Sequence, residues 1–376
     1  MPNPLDHASK FVASDDIYLL AHSIGKMPKN AVAYAQSHFF DTWQSSAESI
    51  WPQWLTEIDA FKSALADLFN AEANEFCPQT NVSSALSKLV SSLPGSARSS
   101  KRTIVMTEND FPSAGFVLQQ MQQLGFTLRV IDKHKDPLDL NHWADAIDDS
   151  VCAVFITHVH YNTNRRVNVQ EICRMARAHD AISIVDIAQS AGIVPIDFQR
   201  WQADAVIGSC IKWLCGGPGA GYLWVRSGLV SQLEPLDLGW FSHNNPFEFD
   251  INHFEYADSS NRFWGGTPSV LPFVTATNSI RLIHEIGVEQ IRRHNLALCD
   301  RLLAHLPEQA TLVSPVSANQ RGGTLVIKFD QQERIAQQLQ KSGILFDARE
   351  YGIRLSPHVY TRSEEINACI QALSVN

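Results

Sequence analysis

The sequence predicts an α/β fold built on a mostly parallel sheet, and three observations lead to this prediction. Between Thr103 and Val225 short apolar runs alternate with amphipathic segments, the pattern of strands connected by helices. The chain of 376 residues, 45% of them hydrophobic, is long enough for one large core and a second, smaller one. From Leu271 onward longer helical patterns alternate with fewer strands. We therefore expect a large α/β domain followed by a smaller α+β domain.

The elements of the large domain can be predicted one by one. Six short apolar runs are predicted to be strands: 103–106, 127–131, 153–156, 182–185, 205–207 and 222–225. Three amphipathic segments are predicted to be helices: 83–93, 113–124 and 169–178. Ligands of such sheets bind beyond the carboxyl ends of the strands, so functional residues are expected in the loops there.

The carboxyl-terminal part begins after a long aromatic-rich loop. Residues 236–268 are too long for a passive connection, which favours a binding or interface role. One long helix is predicted from Leu271 to about Leu306. It is followed by strand 324–329, helix 333–342, strand 352–355 and a last helix from Ser363. The predicted division is an N-terminal segment, 1–40, that packs with the small domain, a large domain, 41–268, and a small domain, 269–376.

Charge and composition exclude several classes of protein. The net charge of −9 and the isoelectric point near 5.8 leave no basic face for a nucleic acid. Residues 1–14 are polar, and the chain has no run of about 18 uncharged apolar residues, so neither a signal peptide nor a membrane span is expected. The seven cysteines form no Cys-x-x-Cys pair and are expected to be reduced thiols. We expect a cytoplasmic globular protein.

Lys212 is the most informative single residue. It lies among Ile211, Trp213 and Leu214, where desolvation would lower the pKa of its amine, as a nucleophilic lysine requires. A surface lysine whose stem covers apolar area is the alternative. The glycine-rich run 216–221 that follows favours the functional interpretation, since it lets the backbone turn sharply or approach a bound cofactor closely.

Asp186 is the candidate for a carboxylate in the same site as this lysine. It ends the apolar run before it, and an aspartate there could equally cap a helix. A pyridinium ring, however, stays protonated only beside a fixed carboxylate. Gln189, three positions on, could hydrogen-bond the phenolic oxygen of that ring. Lys212, Asp186 and the glycine-rich turn together predict a Schiff-base lysine that binds pyridoxal 5'-phosphate.

Other residues could complete this site, although each also has a purely structural interpretation. Ser83 and Ser84 follow Asn81 at a helix start, which suits a phosphate but also an ordinary N-cap. Thr267 lies in a glycine-proline turn that could add a hydroxyl. Phe111 precedes a capped helix start and could stack on the ring.

The run 157–161 follows a predicted strand at the ligand-binding edge. Thr157 begins it, and His158 and His160 are spaced by two. Two histidines invite a metal site, but no third ligand with suitable spacing is apparent, so none is predicted.

Five motifs, in family order and spread over most of the chain, resemble the class V aminotransferase group of fold-type I pyridoxal-phosphate enzymes, and within it the kynureninases. They are Thr-His-Val-His-Tyr-Asn-Thr at 157–163, Asp-Ile-Ala-Gln-Ser-Ala-Gly at 186–192, Lys-Trp-Leu-Cys-Gly-Gly-Pro-Gly at 212–219, Leu-Gly-Trp-Phe-Ser-His-Asn-Asn-Pro-Phe at 238–247 and Arg-Phe-Trp-Gly-Gly-Thr-Pro at 262–268. The resemblance implies a large domain with a mostly parallel sheet and a small carboxyl-terminal α+β domain.

The resemblance also implies roles for individual residues. Lys212 would hold the cofactor as a Schiff base, Asp186 would pair with the pyridine nitrogen, and Arg354 would bind the substrate α-carboxylate through its bidentate fork. A homodimer with shared active sites is implied, with Trp240 and Thr267 reaching in from the neighbouring subunit. The remaining implied cofactor contacts are Ser83, Ser84 and Ser209 at the phosphate, Phe111 over the ring, and Thr157 and Gln189.

Two departures bear on the reaction. Ile211 stands where kynureninases carry a tyrosine, and residues 20–25 read Leu-Ala-His-Ser-Ile-Gly in place of the family's Leu-Asp-Gly-Asn-Ser-Leu-Gly. A kynureninase-like hydrolase of a Cβ–Cγ bond is expected, with a transaminase as the alternative. A cysteine desulfurase is less favoured, because no cysteine lies near Arg354. A non-catalytic protein on the same scaffold is a further alternative. The substrate side chain and the roles of His22, His158 and His160 stay open.

Overall fold

The computed structural model describes residues 7–45, 49–93 and 101–374; residues 1–6 of the predicted N-terminal segment lie outside this range. The strands are β1 (Ile17–Tyr18), β2 (Phe76–Gln79), β3 (Thr103–Thr107), β4 (Thr127–Ile131), β5 (Val151–Thr157), β6 (Ile182–Asp186), β7 (Ala205–Ser209), β8 (Gly221–Val225), β9 (Ala310–Leu312), β10 (Leu325–Phe329), β11 (Ile344–Leu345), β12 (Asp347–Arg349) and β13 (Gly352–Leu355). The α-helices are α1 (Ala31–Ala35), α2 (Asp41–Ser45), α3 (Trp51–Phe69), α4 (Val82–Ser91), α5 (Pro112–Gln120), α6 (Leu140–Ala146), α7 (Val169–Ala178), α8 (Phe198–Trp201), α9 (Ser227–Val230), α10 (Leu271–Ile286), α11 (Val288–Leu303), α12 (Gln332–Lys341) and α13 (Ser363–Ser374).

The large sheet has seven strands in the order β2-β8-β7-β6-β5-β3-β4. β4, β3, β5, β6 and β7 are parallel to one another, and β8 runs antiparallel to both β7 and β2. The predicted α/β class with a mostly parallel sheet is therefore confirmed. β2 was not among the predicted strands. It contains Pro78, which a sheet tolerates at an edge because the missing N–H need not pair there.

The large sheet is covered by apolar helices on both faces. In β5, Val154 and Ile156 belong to the core formed with α3, α7 and α10, whereas Ala153 and Phe155 belong to the core formed with α4 and α5. Side chains alternate between the two faces of a strand, so a strand buried on both sides is a continuous apolar run. This explains why these strands were readable from the sequence.

The predicted single helix from Leu271 to about Leu306 is wrong. The structure has two helices, α10 and α11, separated by Gly287, whose φ is +88°. Only glycine adopts this backbone conformation without strain, so the chain changes direction there. The apolar pattern continues through the break, because both helices bury one face.

The carboxyl-terminal part has its own core around the sheet β12-β13-β10-β9. The N-terminal segment lies against it, since β1 pairs with β11. Ile291 of α11 belongs to the large core, whereas Leu298 and Leu302 belong to the small one. The two cores thus meet along α11. The boundaries at 40 and 268 stay predictions, and we propose that the second division falls within α11.

Two further features agree with the sequence. Residues 236–268 carry two short 3-10 turns, Trp240–Ser242 and Ser260–Phe263, and are otherwise irregular. The seven cysteines form no disulfide. Among the described residues, every helix is too short or too polar to cross a membrane.

Candidate active site

The carboxyl ends of three neighbouring strands carry predicted site residues. Thr157 ends β5 and is paired in register with Asp186, which ends β6. Ser209 ends β7, the next strand. Lys212 lies in the turn that follows β7. Because parallel strands end at one edge, the fold brings these four residues to the same side of the sheet.

Asp186 is a buried carboxylate. Its Oδ1 accepts a hydrogen bond from the backbone N–H of Ala188 at 2.8 Å, which holds the turn after β6. Burial raises the pKa of Asp186, whereas the Ala188 hydrogen bond and the charge of Lys212 act in the opposite direction. The capping alternative considered for this residue is thus partly realised, but in a turn and not at a helix start.

Lys212 has an amine without a partner. Its Nζ makes no hydrogen bond or ion pair with any residue that the structure describes, and it lies 5.8 Å from the centroid of the Phe111 ring. Burial lowers the pKa of Lys212; the charge of Asp186 opposes this and that of Arg354 adds to it. The amine is therefore neutral at a lower pH than an ordinary lysine, as a nucleophile requires.

The glycine-rich turn gives Lys212 a fixed position. The backbone N–H of Cys215 donates to the Lys212 carbonyl at 3.0 Å, and that of Gly216 donates to the Cys210 carbonyl at 2.7 Å. Cys215, Gly217 and Gly219 all have positive φ angles, of +57°, +75° and +92°. Two of these three positions need glycine for an unstrained backbone.

The N-terminal segment packs directly on this turn. The backbone N–H of Gly25 donates to the Ile211 carbonyl at 2.8 Å. A Cβ on Gly25 would lie 2.7 Å from the Cys215 sulfur and closer still to the Lys212 carbonyl oxygen. The last glycine of the altered 20–25 segment is therefore required by the site, whatever the rest of that segment has become.

Gly25→Ala is expected to displace the Lys212 turn and abolish most cofactor binding, because the added methyl group overlaps backbone that cannot move independently. Absorbance of the bound cofactor per chain measures the effect, and far-UV circular dichroism should show that the fold persists. Gly115→Ala on α5 is the matched control, since its added Cβ meets only a Met106 side-chain carbon at 3.8 Å. Full cofactor binding in Gly25→Ala would contradict this account of the turn.

Buried polar atoms that have no hydrogen-bond partner within the described ranges gather around the strand ends. They belong to adjoining segments and are Thr157 Oγ1, His160 Nε2, Asn162 Oδ1, Thr163 Oγ1 and Gln189 Oε1. Unpaired buried polar atoms are rare in folded proteins, so such a group indicates a bound polar molecule. Gln189 donates one amide hydrogen to the His22 carbonyl at 3.2 Å and keeps the second for a ligand. Together with the free Lys212 amine, these atoms fit a polar aromatic cofactor.

The predicted phosphate residues lie at the start of the ten-residue helix α4. Asn81 caps this helix by accepting from the Ser84 N–H at 2.9 Å, and Ser83 and Ser84 are half-buried. Gly221, paired with Ser209, approaches so closely that an added Cβ would lie 3.0 Å from the Asn81 backbone nitrogen. The structure thus brings the three serines to one region, where a helix start favours an anion.

Trp240 and Thr267 lie together on the loop 236–268. Trp240 Nε1 donates to Thr267 Oγ1 at 3.2 Å, and the Trp240 ring contacts Trp51 at 5.4 Å between ring centroids. Phe249 and Ile251 of the same loop are exposed, Ile251 to 97%. A role of Trp240 and Thr267 in the site of a neighbouring subunit stays a prediction.

Arg354 lies on β13 with 6% of its surface exposed. Its Nη1 donates to the Tyr161 carbonyl at 3.0 Å, and its Nη2 forms a short ion pair with Asp347, the residue opposite it on β12. Asp347 was not among the predicted site residues. If the strand 352–355 had been predicted to form a hairpin with the residues before Tyr351, that hairpin would have placed Asp347 close to Arg354.

The structure shows the surroundings of three buried groups. The sequence left the roles of His158 and His160 open, and it did not indicate Asp110. His158 packs on Trp201 and contacts Ser190, and burial lowers its pKa to about 3, so it is a neutral core residue. His160 donates from Nδ1 to the Asn109 carbonyl at 3.2 Å, and burial lowers its pKa to about 4. Asp110, three residues beyond β3, is 3.8 Å from His160, and burial raises its pKa to about 6.

One cluster outside the site has metal-ligand residue types. The side-chain atoms of His243, Glu248 and His253 lie within 4.8 Å of one another. His243 Nδ1, however, accepts from the Asn245 N–H at 2.9 Å, so its Nε2 carries the proton and faces the His253 carbonyl at 3.2 Å. In this arrangement His243 has no lone pair to offer a metal ion.

Comparisons with known proteins agree with this geometry. A family model, the class-V aminotransferases, matches residues 17–368. The chain is 30% identical to the kynureninase of Pseudomonas fluorescens over 95% of this chain and 88% of that protein. It is 28% identical to an uncharacterized aminotransferase of Bacillus subtilis over 86% of this chain and 85% of that protein.

Solved structures share the fold at lower identity. An apo cysteine desulfurase from Thermococcus onnurineus superposes with a TM-score of 0.85 at 22% identity, covering 96% of this chain and 94% of that one. The cystine C-S lyase C-DES superposes with a TM-score of 0.85 at 21% identity, covering 96% and 97%. These likenesses show the fold, and the predicted fold-type I architecture is confirmed.

Proposed function

The chain belongs to the class V aminotransferase family of pyridoxal-phosphate-dependent enzymes, and from this we propose that it is a kynureninase-like hydrolase. The substrate would be an α-amino acid with an aromatic ketone side chain, cleaved between Cβ and Cγ. The observation that carries the proposal is the 30% identity to a kynureninase over 95% of the chain. An unpaired lysine amine, a buried carboxylate and a buried arginine support it, since the charges of Asp186 and Arg354 both act on Lys212.

The cofactor would be held by residues at the carboxyl edge of the large sheet and at the start of helix α4. Lys212 would bind it covalently, Asp186 would pair with its protonated ring nitrogen, and Ser83, Ser84 and Ser209 would contact its phosphate. When bound, pyridoxal phosphate supplies an electron sink for the bond that breaks. Thr157, Gln189 and Phe111 would contact the ring, since the first two carry unpaired polar atoms and the third lies near Lys212.

The side chains of the protein would then orient the substrate and move protons. Arg354 would bind the α-carboxylate through its N–H donors, which fixes the α-carbon near Lys212. The neutral Lys212 amine would take the α-proton at Nζ and return it later. In the net reaction water adds across the Cβ–Cγ bond: the oxygen ends in the aromatic carboxylate, and a proton ends on Cβ.

The reaction is tested by supplying kynurenine and 3-hydroxykynurenine to the purified holoenzyme. We expect the corresponding anthranilates and alanine in equal amounts. Conversion of the cofactor to its amine form by an amino donor, with no anthranilate, would favour the transaminase alternative. That alternative is supported by Ile211 in place of the family tyrosine and by the Bacillus relative named as an aminotransferase.

A desulfurase is disfavoured by the state of the cysteines. Such an enzyme needs a reactive thiolate, and thiolates form where positive charge is close and water can reach. Cys215, which lies beside the Lys212 turn, is fully buried, and burial raises its pKa. Cys210 has the same surroundings and the same direction of shift.

A homodimer would complete the proposed site. The loop 236–268 exposes apolar side chains, among them Phe249 and Ile251, that a monomer would leave in water. Trp240 and Thr267 lie on this loop and could reach a neighbouring site. Sedimentation equilibrium of the holoenzyme tests the dimer.

Arg354→Ala is expected to weaken amino-acid binding by roughly 100-fold, because a charge-assisted bidentate contact is lost. Cofactor binding should stay nearly unchanged. Spectral titration of the bound cofactor with the amino acid measures the first quantity, and cofactor retention measures the second. Arg334→Ala, on the exposed face of α12, is the matched control. Equal loss of both quantities would contradict the carboxylate role.

A further inference from the structure

Arg354 is already engaged by an acidic side chain of its own chain. Nη2 pairs with Asp347 and Nη1 donates to the Tyr161 carbonyl, whereas Nε is buried and has no partner among the described residues. A guanidinium binds a carboxylate bidentately through two adjacent nitrogens. Either pair of nitrogens that could do so, Nε with Nη2 or Nη1 with Nη2, includes Nη2, so a substrate carboxylate would share that nitrogen with Asp347.

The charge of the buried Arg354 guanidinium is balanced before any substrate arrives. Asp347 is ionised, since its pKa lies below the ordinary value: burial opposes the charge, but the neighbouring His22, Arg354 and Arg349 more than offset it. Arg354 and Asp347 together are neutral, and the exposed Arg349 pairs with Asp347 from the solvent side at 3.2 Å. Burial lowers the pKa of His22 to about 4, so the imidazole adds no positive charge near neutrality. A substrate carboxylate would therefore be the second anion on one buried guanidinium, which is unfavourable unless the first one moves.

His22 is positioned to hydrogen-bond the carboxylate of Asp347 when a substrate displaces it. Its Nε2 lies 3.7 Å from Asp347 Oδ2, just beyond hydrogen-bond length, and has no partner although only 2% of the residue is exposed. Its Nδ1 lies 2.6 Å from Ser356 Oγ, which lies 2.8 Å from Thr324 Oγ1.

The hydroxyl chain favours one of the two ring nitrogens of His22 as the carrier of the proton. The Thr324 hydroxyl has no other hydrogen-bond partner among the described residues, so it can donate to Ser356, and Ser356 can donate to Nδ1 of His22. The proton of the neutral imidazole is then on Nε2, facing Asp347. His22 is thus a hydrogen-bond donor aimed at Asp347 across 3.7 Å, which is too long for a strong hydrogen bond.

We propose that Asp347 and His22 form an exchange site that determines specificity: Asp347 occupies Arg354 until a substrate α-carboxylate displaces it, and Asp347 then bonds to His22 Nε2. The inference rests on the proposed role of Arg354 as the carboxylate-binding residue. Only hydrogen bonds exchange in this step. A ligand whose carboxylate has been replaced by an uncharged amide cannot displace Asp347, so the site selects free α-amino acids.

The test compares two ligands on the holoenzyme and its Asp347→Asn variant. L-Alanine carries the carboxylate and L-alaninamide does not, and their dissociation constants are measured by titration calorimetry. Asp347→Asn is expected to bind L-alanine about tenfold more tightly, the worth of one charge-assisted hydrogen bond, with L-alaninamide unchanged. Glu350→Gln is the matched control, an exposed carboxylate on the same hairpin. Unchanged or weaker L-alanine binding in Asp347→Asn would overturn the proposal, because Asp347 would then merely orient Arg354.

A second variant tests the receiving residue. His22→Leu removes the donor and keeps much of the volume, so it is expected to weaken L-alanine binding about tenfold when Asp347 is present. In the Asp347→Asn background the same change should have no effect, since no carboxylate needs a new partner. His22→Gln, which keeps an N–H donor, should restore part of the affinity. An equal loss in both backgrounds would overturn the role of His22.

These outcomes are separable from those of the proposed function. If kynurenine gives no anthranilate while the alanine results hold, the reaction assignment fails and the exchange site stands. If Arg354→Ala leaves alanine binding unchanged, the exchange site fails even where kynurenine is cleaved.

Discussion

Lys212→Ala is expected to abolish turnover, lowering kcat by roughly 10⁴-fold or more, because one side chain would serve as both covalent anchor and proton carrier. The amine has no partner in the described part of the chain and a pKa lowered by burial. No neighbouring lysine lies in the same turn, residues 210–221, to replace it.

The measurement combines kinetics with spectroscopy. The near-visible band of the bound cofactor should shift on borohydride reduction in the wild-type protein, and the shifted band should stay with the chain on denaturation. In Lys212→Ala any cofactor should be released instead. Lys341→Ala, at the end of α12, controls for loss of a lysine elsewhere. An unchanged band in Lys212→Ala would rule out this residue as the anchor.

Asp186→Asn is expected to lower kcat by roughly 10³-fold, because the buried site would no longer stabilise a cationic ring. The amide oxygen can still accept from the Ala188 N–H, so the turn after β6 should persist. Asp145→Asn, an exposed carboxylate on α6, is the matched control.

The stability of the cofactor-free protein distinguishes a functional from a structural role of Asp186. Burial raises the folded-state pKa of this group above its unfolded value, so its contribution to stability is present at low pH and is lost as the pH rises through the folded-state pKa. Above that pKa the charged carboxylate therefore destabilises the empty site, and Asp186→Asn should unfold there at the same temperature or higher. A marked loss of apo stability would instead identify Asp186 as a structural cap.

Much of the fold followed from periodicity. Strands buried on both faces, such as β5, appear as continuous apolar runs, and each of the six predicted runs is a strand. β2 was not predicted because a proline in a four-residue run is typical of a turn. The sheet accepts Pro78 only because β2 is an edge strand. The break at Gly287 escaped because the apolar pattern continues on both sides of it.

The candidate site divides in the same way. Lys212 and Asp186 were identified because residue type, apolar neighbours and adjacent glycines together narrow the chemistry. Asp347 was not, since an acidic residue in a short exposed hairpin has no local signal. Its partners, Arg354 and His22, lie 7 and 325 positions away in the chain. The requirement for glycine at position 25 likewise comes from the Lys212 turn, far along the sequence.

The amino-acid order alone therefore determined the α/β class, the family and the residues proposed for the chemistry, because these depend on local pattern and residue type. Tertiary structure alone decided which residue pairs with Arg354 before substrate arrives and which nitrogen of His22 faces that pair. It also decided that the backbone at Gly25 packs against the Lys212 turn. Those properties depend on distances of a few ångströms between distant segments, and hydrogen bonds and charges in a dry interior are sensitive to such distances.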